Sequence, residues 1–481
     1  MHILIYVLDA LRADHVSCYR YRRETSPNID ALSREGVLFS NCFTSSTWTR
    51  PVASSILTGT YPGVHMTCRR DDMFDSNLVR LPQILKEAGF KTAAFSAMGN
   101  VAGDIGFDLG FDQYYNLFRA PEVLAKRRKL DPTREALTHA KNEKIALPRA
   151  DDINEVLFKW LDKNQKDSTF NFIWSIETHF PFIAPTRFRH FAKASPLNPQ
   201  EGDLDNILGE GAAGQQRLRD LYDDEIHYND YCIGMIVNYL KNSNIYDDTL
   251  FLVTSDHGEA FYEHGVYGHG HIPYDELIHV PLIIKFPHGR FAGKKASALV
   301  ELIDIFATVI GASGSSSLIK DGYLIQGYDL SKLLDGTYSK LRDYTFSDTQ
   351  SLAIHNRYLS VRSTRWKYIK IHRPKRDSRT IAKTLRYIMM RKMIFSILRN
   401  PRHFFHNYLQ SKSEYLFDLE NDPEEQHNLV DQLIEKVIQF REVLADRIRR
   451  NEELAVQVGR SNLRYREDEE IRKHLEELGY M

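Results

Sequence analysis

Three polar side chains that directly follow strand-like runs have the chemistry of metal ligands. Asp9 comes after the apolar run of residues 3–8, and Asp256 and His257 come after the run of residues 249–255. Runs of this kind are typical of strands buried on both faces of a largely parallel sheet. Ligands of open α/β sheets bind beyond the carboxyl ends of such strands. We therefore expect these three side chains close to a metal ion.

A hydroxyl-rich stretch at residues 45–59 could supply a nucleophile. Pro51 stands where a helix can begin, small and apolar residues follow it, and Gly59 closes the run. This pattern predicts a loop that delivers the Thr49 hydroxyl to a helix N-terminus. Unpaired amides and the positive dipole end of a helix favour an anion beside Thr49, either its own alkoxide or a bound oxyanion. Hydroxyl-rich helix starts are more often plain caps, so this stretch alone leaves both interpretations open.

Other polar candidates lie just past predicted strands or in a loop. His179 and Asn100 each follow a predicted strand. Asn100 could donate to an anionic substrate, although an asparagine after a glycine is more often a turn former. His264 and His269 lie in a loop that alternates glycine and histidine, a few residues beyond the second group of metal-ligand candidates. A hydrophobic core would not use this pattern, so we expect these imidazoles near the predicted metal ion.

Asp223 and His227 form a further candidate pair, four residues apart on a helix predicted over residues 221–240. Such a pair could bind a metal ion. Pairing along the surface of one helix is the stronger interpretation. One metal ion, rather than two, is therefore the prediction.

Strand and helix patterns alternate over residues 1–340 and predict an α/β fold with a large, mostly parallel mixed sheet flanked by helices. After about residue 340 the pattern changes to strands followed by one helix, which predicts a smaller C-terminal antiparallel sheet with a packed helix. The predicted strands are 3–8, 37–43, 91–96, 169–176, 249–255, 281–286, 353–362, 366–371 and 415–419, and the predicted helices include 27–36, 81–89, 153–161, 221–240, 300–310 and 429–450. We expect a catalytic domain over residues 1–340 and a smaller subdomain over residues 341–481.

The composition of this chain of 481 residues excludes some classes of partner. Its formal net charge is −1, so no overall field attracts it to nucleic acid. Its four cysteines have no metal-ligand spacing, which predicts free thiols in a reducing compartment. It shows no basic leader and no apolar stretch near the roughly 20 residues that cross a bilayer. We expect a cytoplasmic protein, and the sequence does not indicate its oligomeric state.

A basic segment over residues 375–412 interrupts the predicted C-terminal sheet. It contains ten Lys or Arg against the single acid Asp377, interleaved with Ile, Leu, Met and Phe. Such a segment can lie as an amphipathic helix on anionic lipid, which would place the protein at the inner face of the membrane. It can equally be a helix pair packed on the enzyme with its charges solvated.

Five ordered motifs run over nearly the whole chain. They are Val-Leu-Asp-Ala-Leu-Arg-Ala-Asp at residues 7–14, Leu-Thr-Gly-Thr-Tyr-Pro at 57–62, Ser-Asp-His-Gly-Glu at 255–259, Leu-Ile-Asp at 302–304, and Tyr-Leu-Phe-Asp-Leu-Glu-Asn-Asp-Pro-Glu-Glu-Gln-His-Asn-Leu at 415–429. Together they resemble the sulfatase family of the alkaline phosphatase superfamily. The resemblance implies the α/β fold predicted above and a metal-dependent ester hydrolase.

The nucleophile position departs from the sulfatase pattern. Sulfatases carry, ten residues before the glycine of Leu-Thr-Gly, a Cys or Ser that is oxidised to formylglycine, followed by Pro two residues and Arg four residues later. This chain has Thr49, Pro51 and Ala53 at these positions. Threonine cannot form such an aldehyde because its Cβ already bears a methyl group. We therefore expect no formylglycine here.

Superfamily members with threonine at this position are typically phosphodiesterases, nucleotide pyrophosphatases, or phosphoglycerol and phosphoethanolamine transferases, in which the threonine becomes a covalent phospho-enzyme. The resemblance thus implies a hydrolase or transferase of phosphate esters, in particular a phosphodiester or phosphonate ester. A threonine hydroxyl is a poor nucleophile at neutral pH, and a divalent cation is a direct way to activate it. The implied ligands of one cation are Asp9, Thr49, Asp256 and His257, which suit Mn²⁺, Zn²⁺ or Mg²⁺ better than Ca²⁺.

The other candidates are implied to contact the substrate, a small-molecule, glycan or glycolipid ester. His179 and His269 would bind phosphoryl oxygens and protonate the leaving group, because an imidazole pKa suits that role. His269 takes the approximate place of a substrate-binding lysine in sulfatases, and Asn100 and His264 are weaker substrate-binding candidates. Two alternatives stay open: a sulfuric ester hydrolase that uses unmodified Thr49, and a catalytically silent binding protein of the same fold.

Overall fold

An eight-stranded sheet organises the computed structural model, which describes residues 1–74, 77–123, 125, 147–192, 211–351, 356–373, 412–459 and 469–477. In sheet order the strands are β10 Lys294–Glu301, β2 Val37–Phe43, β9 His279–Lys285, β6 Thr249–Ser255, β1 His2–Leu8, β5 Thr169–Ser175, β3 Lys91–Ser96 and β4 Gln113–Asn116. Neighbouring strands are parallel except where β9 pairs with β2 and β6. The predicted large, mostly parallel mixed sheet is therefore confirmed.

The three central strands β1, β5 and β6 end at the same level. Leu8 is in register with Ser175 of β5 and with Ser255 of β6. Every residue of these strands is buried, as expected for runs that are covered on both faces. The next residues in the chain, among them Asp9 and Asp256, therefore emerge at one edge of the sheet.

The described residues form helices that pack on the large sheet, on one another and on a second sheet. Their bounds are α1 Pro27–Glu35, α2 Thr49–Thr58, α3 Pro62–His65, α4 Leu81–Glu87, α5 Ala150–Lys163, α6 Ala212–Asn242, α7 Asp275–Ile278, α8 Asp304–Ala312, α9 Ser331–Leu334, α10 Ile434–Val458 and α11 Glu469–Glu477. α5 packs on β3 and β5, and α6 packs on α5 and α1. α2 begins at Thr49, two residues before the Pro51 at which the sequence predicted a helix start, and Gly59 ends it with a φ of 66°, a left-handed conformation that glycine adopts at little cost.

A second sheet follows in the C-terminal part of the chain. Its strands, all antiparallel, are β11 Thr345–Gln350, β12 Arg357–Arg362, β13 Trp366–His372 and β14 Glu414–Asp418. Helix α10 packs on it, with Val437, Phe440 and Leu444 in one apolar cluster with residues of β12 and β13. The predicted smaller sheet with a packed helix is thus confirmed. A separate two-stranded ribbon joins β7 Ala260–Phe261 to β8 Tyr267–Gly268.

The helix predicted over residues 300–310 was wrong in its first part. Residues up to Glu301 belong to β10, and α8 begins only at Asp304. The Asp304 carboxylate accepts a hydrogen bond from the Glu301 main-chain N–H at 2.8 Å, which turns the chain between strand and helix. The strands β4 and β10 were missed because β4 is short and half-exposed and the first half of β10 is polar and partly exposed.

The basic segment predicted at 375–412 lies outside the described residues except for Lys412, whose ammonium is 2.6 Å from the Asp431 carboxylate. Within the described ranges, no helix is both long and apolar enough to cross a membrane. The four cysteines are free thiols, as predicted. Membrane contact by this segment stays a prediction.

A buried arginine ties the large sheet to the C-terminal part of the chain. The Arg342 guanidinium lies 2.8 Å from a carboxylate oxygen of Glu301 and donates at 2.8 Å to Asp304, and both acids are fully buried. The Tyr61 hydroxyl donates to the same Glu301 carboxylate at 2.5 Å. Two carboxylates thus share one cation out of contact with water.

Arg342→Met should lower the free energy of unfolding by about 3–5 kcal/mol, because it leaves two buried carboxylates without their cation. Arg365→Met is the control, since Arg365 is half-exposed beside Asp418 and a pair at the surface contributes little. Urea unfolding followed by circular dichroism compares the two variants with the wild type. Equal losses of unfolding free energy in both variants would contradict the role of Arg342 as the shared cation of the two buried acids.

Candidate active site

The three predicted metal ligands that follow β1 and β6 form one buried cluster. Asp9, Asp256 and His257 each offer a ligand atom, and these atoms lie within 4.8 Å of one another. The Nδ1 atom of His257 lies 2.9 Å from the Gly258 main-chain oxygen and donates to it. Its Nε2 therefore carries the lone pair, 3.2 Å from Asp256 Oδ2 and 3.7 Å from Asp9 Oδ1.

The cluster fits a divalent cation. Among the described residues, Asp9 Oδ1 and Asp256 Oδ2 are buried without a hydrogen-bond donor. Burial raises the pKa of Asp9 well above its ordinary value, the nearby Asp256 adds to this rise, and burial also raises the pKa of Asp256. A cation would neutralise both carboxylates and use the oxygens that lack donors. Two carboxylates and one imidazole suit Mn²⁺, Zn²⁺ or Mg²⁺.

Thr49 lies at this cluster, at the first residue of α2. Its Oγ1 is 3.3 Å from His257 Nε2 and 3.5 Å from Asp9 Oδ2, and the side chain is fully buried. The loop before α2 and the two strand ends thus bring a hydroxyl from one stretch to ligands from two others. All four predicted metal-site residues are together, and their metal binding stays a prediction.

Trp174 orients one of the carboxylates and was missed from the sequence. Its indole N–H donates to Asp9 Oδ2 at 2.9 Å. Trp174 is the second-last residue of β5 and is in register with Val7 of β1. An indole near the end of a predicted strand, beside a strand that ends in an acid, is the signal that could have found it.

The imidazoles of His179 and His269 pack edge to face beside the cluster. Their ring centroids are 4.9 Å apart, and the His269 ring is 4.4 Å from that of His257. Glu259, which is buried, places a carboxylate oxygen 3.1 Å from His269 Nδ1. Glu259 was not assigned a role from the sequence, although it belongs to the Ser-Asp-His-Gly-Glu motif. The structure thus brings both predicted catalytic histidines to the same place as Thr49.

The two histidines differ in the partners of their rings. His179 Nδ1 lies 2.6 Å from the main-chain oxygen of Phe180 and donates to it. Burial lowers the pKa of His179 to about 3, so this ring is neutral near pH 7. His269 instead places its Nδ1 3.1 Å from a carboxyl oxygen of Glu259.

Asn100 reaches the nucleophile helix through a neighbouring arginine. Its side-chain oxygen accepts a hydrogen bond from the Arg50 guanidinium at 3.2 Å, and both residues are buried in the described structure. Arg50 also donates to the main-chain oxygen of Asp72 at 3.1 Å. Arg50 was missed, although it directly follows Thr49. Substrate binding by Asn100 stays a prediction.

His264 contacts groups of the protein with both ring nitrogens, and its binding of substrate stays a prediction. Its Nδ1 is 2.8 Å from the Glu276 carboxylate, its Nε2 is 3.0 Å from the main-chain oxygen of Glu424, and its ring stacks on Tyr274 with centroids 3.7 Å apart. Both ring nitrogens therefore contact protein atoms. These contacts join the glycine-rich loop to the C-terminal part of the chain.

The candidate pair Asp223 and His227 forms neither a metal site nor a helix-face pair. The Asp223 carboxylate contacts His15 Nδ1 at 2.7 Å, the Tyr21 hydroxyl at 2.8 Å and Arg23 at 2.7 Å. The His227 ring instead packs on His190, with centroids 4.7 Å apart. Among the described residues, the cluster around Asp256 is the one group of acids and imidazoles with metal-ligand spacing.

The chain is similar to a known protein family and to several proteins of known name. A family model described as Sulfatase matches residues 1–315. An ulvan-active sulfatase of Formosa agariphila is 27% identical over 322 residues, which cover 64% of this chain and 60% of that protein. The multifunctional alkaline phosphatase superfamily protein PehA of Trinickia caryophylli is 25% identical over 381 residues, covering 64% of this chain and 73% of PehA. The matched part thus spans less than two thirds of the ulvan-active sulfatase.

A solved structure extends the likeness of fold to most of the chain. The crystal structure of the phosphonate monoester hydrolase of Agrobacterium radiobacter superposes with a TM-score of 0.66 over 95% of each chain, at 19% sequence identity. At this identity the match shows a shared fold. The fold likeness thus includes the C-terminal part beyond the residues that the family model matches.

Mn²⁺ should raise the thermal unfolding midpoint of the wild type, because a cation that binds the folded cluster and not the unfolded chain stabilises the folded state. The stabilisation is about 2.7 kcal/mol when the free Mn²⁺ concentration is a hundred times Kd. Asp256→Asn should remove this response. Asp230→Asn is the control, since Asp230 is a buried carboxylate of α6 that accepts main-chain hydrogen bonds from Asn28 and Ile29. It should lower the midpoint and keep the Mn²⁺ response. A wild-type response in Asp256→Asn would rule out the predicted ligand set.

Proposed function

The chain belongs to the sulfatase family, and from this premise we propose that it cleaves or transfers phosphate esters, in particular phosphodiesters or phosphonate esters, with unmodified Thr49 as the nucleophile. One observation carries the proposal. The Thr49 hydroxyl lies 3.3 Å from His257 and 3.5 Å from Asp9, at the start of a helix, where an attacking oxygen is needed. Its methyl group prevents oxidation to formylglycine, so the alcohol itself is the reacting group.

The charge at the site supports a substrate with one negative charge on its reacting group. By the resemblance described above, Ala53 and His269 stand where sulfatases carry an arginine and a substrate-binding lysine. Two permanent positive charges are therefore replaced by a methyl group and a titratable ring. A phosphodiester or phosphonate monoester carries one charge on its phosphoryl group, whereas a phosphate monoester at neutral pH carries up to two. The phosphodiester and the phosphonate monoester therefore match the charge of this site better than the phosphate monoester does.

The first chemical step would transfer the phosphoryl group to the enzyme. Thr49 Oγ1, after loss of its proton to solvent, forms a bond to phosphorus while the bond from phosphorus to the leaving oxygen breaks. A divalent cation held by Asp9, Asp256 and His257 would lower the pKa of the Thr49 hydroxyl and offset charge on the phosphoryl oxygens. The α2 N-terminus adds a favourable dipole for that charge.

His269 is the better placed of the two histidines to protonate the leaving oxygen. Glu259 faces its Nδ1 at 3.1 Å, which orients the ring, as a third group does for a catalytic base or acid. In hydrolysis, a water then attacks phosphorus, His269 takes one proton from that water, and Thr49 leaves and regains a proton. An alcohol in place of the water would give transfer. His179, whose Nδ1 donates to Phe180, would help to shape the site as a neutral ring.

A sulfuric ester hydrolase that uses unmodified Thr49 is the second candidate. The family membership and the ulvan-active sulfatase among the relatives favour it. A sulfate monoester also carries one negative charge, so it meets the same charge criterion. The two candidates differ in the atom attacked, sulfur or phosphorus, and a matched set of esters distinguishes them.

Turnover of matched 4-nitrophenyl esters with Mn²⁺ tests the proposal. We expect the phosphodiester and the phosphonate ester to be cleaved faster than the phosphate monoester and the sulfate. Thr49→Ala should lower kcat by at least about 10³-fold, because loss of a nucleophile removes the covalent route, while Thr49→Ser keeps measurable activity. Acid quench followed by mass spectrometry should find phosphate on the wild-type peptide that contains Thr49.

Three results would count against this proposal. Faster cleavage of the sulfate than of the phosphodiester favours the sulfatase alternative. Equal turnover by Thr49→Ala and the wild type excludes Thr49 as the nucleophile. No turnover of any ester, combined with an intact Mn²⁺ response, favours the catalytically silent binding protein.

A further inference from the structure

The loop that leads to Thr49 lies along a strand of the C-terminal sheet. The Asp348 main-chain N–H donates to Ser45 O at 2.8 Å, and the Ser347 hydroxyl donates to Thr44 O at 2.5 Å. Both contacts come from β11, so the strand supports the residues directly before the nucleophile helix. The position of this loop thus depends on a part of the chain some 300 residues away.

Thr349 follows Asp348 on β11, and its hydroxyl also contacts this loop. Its Oγ1 accepts a hydrogen bond from the Thr47 main-chain N–H at 2.8 Å and lies 3.1 Å from Thr47 Oγ1. The Ser46 hydroxyl is 3.0 Å from the same oxygen. Thr47 and Thr349 are both fully buried. No water therefore replaces these bonds when one hydroxyl is removed without a change in packing.

Thr47 also binds the loop that carries His269. The Gly270 main-chain N–H donates to Thr47 O at 2.7 Å, and the Thr47 hydroxyl lies 3.0 Å from His271 O and donates to it. Both bonds are made by Thr47, and their partners, Gly270 and His271, directly follow His269 in the chain. Thr49 is two residues further along the first segment. One residue therefore joins the segment of the proposed nucleophile to that of the proposed acid.

The hydroxyls of Thr47 and Thr349 form the centre of this chain of bonds. Each hydroxyl donates one hydrogen and accepts through two lone pairs. The Thr47 hydroxyl lies within donating distance of both His271 O and Thr349 Oγ1, and Thr349 Oγ1 also accepts from the Thr47 main-chain N–H. Removal of either hydroxyl therefore breaks more than one hydrogen bond of this network.

We propose that Thr47 and Thr349 are positioning residues that hold the Thr49 hydroxyl and the His269 imidazole in register across the reacting phosphoryl group. This inference rests on the proposed function, since it assigns the two groups as nucleophile and acid. It adds a role for the C-terminal sheet, whose strand β11 supports the loop before Thr49 through the Ser347 and Thr349 hydroxyls and the Asp348 main-chain N–H. Neither Thr47 nor Thr349 belongs to the proposed catalytic or metal-binding residues.

Loss of this register has a specific kinetic consequence. A displaced acid harms most the substrates whose leaving oxygen needs a proton, while a good leaving group departs without it. Displacements of about 1 Å can cost on the order of 100-fold in rate. Substrate affinity and the cluster of Asp9, Asp256 and His257 should change little, because the atoms of these three side chains lie outside the network.

The test compares Thr47→Val and Thr349→Val, which keep shape and remove one hydroxyl, with Thr47→Ser, which restores it. The substrates are methyl 4-nitrophenyl phosphate and methyl phenyl phosphate, which share one phosphoryl group and differ in leaving group. Thr92→Val is the matched control, since Thr92 is a fully buried threonine of β3 whose hydroxyl donates to Gly110 O at 3.0 Å. The Mn²⁺ response of the unfolding midpoint is recorded for every variant.

We expect both valine variants to lose roughly 10- to 100-fold in kcat on the phenyl ester and clearly less on the nitrophenyl ester, with KM and the Mn²⁺ response unchanged. Thr47→Ser should regain most of the loss, and the double valine variant should be no worse than the poorer single variant, because both changes break one network. The proposal would be overturned if the valine variants lost no more kcat than Thr92→Val does. It would also be overturned if kcat fell equally on both esters and the Mn²⁺ response was lost.

Hydrogen exchange separates this inference from the proposed function. Exchange measured by mass spectrometry on peptides covering residues 266–273 should be faster in Thr47→Val than in the wild type, and normal in Thr47→Ser and Thr92→Val. If the wild type cleaves no ester, the proposed function fails while this measurement still decides the positioning role. Unchanged exchange in Thr47→Val would overturn that role.

Discussion

Two carboxylates buried side by side are the constraint on which the rest of the site depends. Asp9 and Asp256 lie out of contact with water, and burial raises the pKa of both. Removing a charged group from water costs several kcal/mol, so two such groups need compensation. Trp174 donates to Asp9 Oδ2, and the main-chain N–H groups of Ala10 and His257 donate to Asp256 Oδ1. One oxygen of each carboxylate is left without a donor among the described residues. A divalent cation is the compensation that fits this arrangement, because it neutralises charge and uses those two oxygens.

The same cation would outweigh the helix in activating Thr49. A helix N-terminus stabilises an adjacent anion by about 0.3–1 kcal/mol, which is less than the roughly 1.4 kcal/mol that corresponds to one pKa unit. A bound metal ion can lower the pKa of a coordinated water to about 7, a far larger effect. Helix α2 therefore contributes mainly orientation: its first residue holds Oγ1 3.3 Å from His257 and 3.5 Å from Asp9. This division of roles would allow the proposed threonine nucleophile to act without the aldehyde of the sulfatase pattern.

The sequence could predict those parts of the fold and site that depend on local pattern. Continuous apolar runs located β1 and β6 and, through the shared edge of a parallel sheet, the position of Asp9 beside Asp256. Side-chain direction was harder to predict, because it depends on partners distant in the chain. His264 lies in the predicted histidine-rich loop, yet its ring meets Glu276 and the main chain near residue 424, contacts that no local spacing reveals. Trp174 was missed for the same reason, because an indole inside an apolar strand reads as core until the neighbouring strand end is known.

The C-terminal motif at residues 415–429 is then best understood as part of the frame that holds the site. Lys367 of β13 is fully buried, with its ammonium 2.9 Å from Asp275 and 2.7 Å from Glu425. Glu425 also accepts a hydrogen bond from the Asp275 main-chain N–H at 2.6 Å. Two acids around one buried cation tolerate little displacement, because separating them leaves an uncompensated charge. The network therefore fixes the start of α7, the same segment that carries Glu276, the partner of His264. The loop that bears His269 is thus held at its far end by the C-terminal motif and near its middle by Thr47. A motif with no chemistry of its own would in this way support the proposed acid His269, because the loop that carries this residue is held at two points, and a displaced acid would not reach the leaving group.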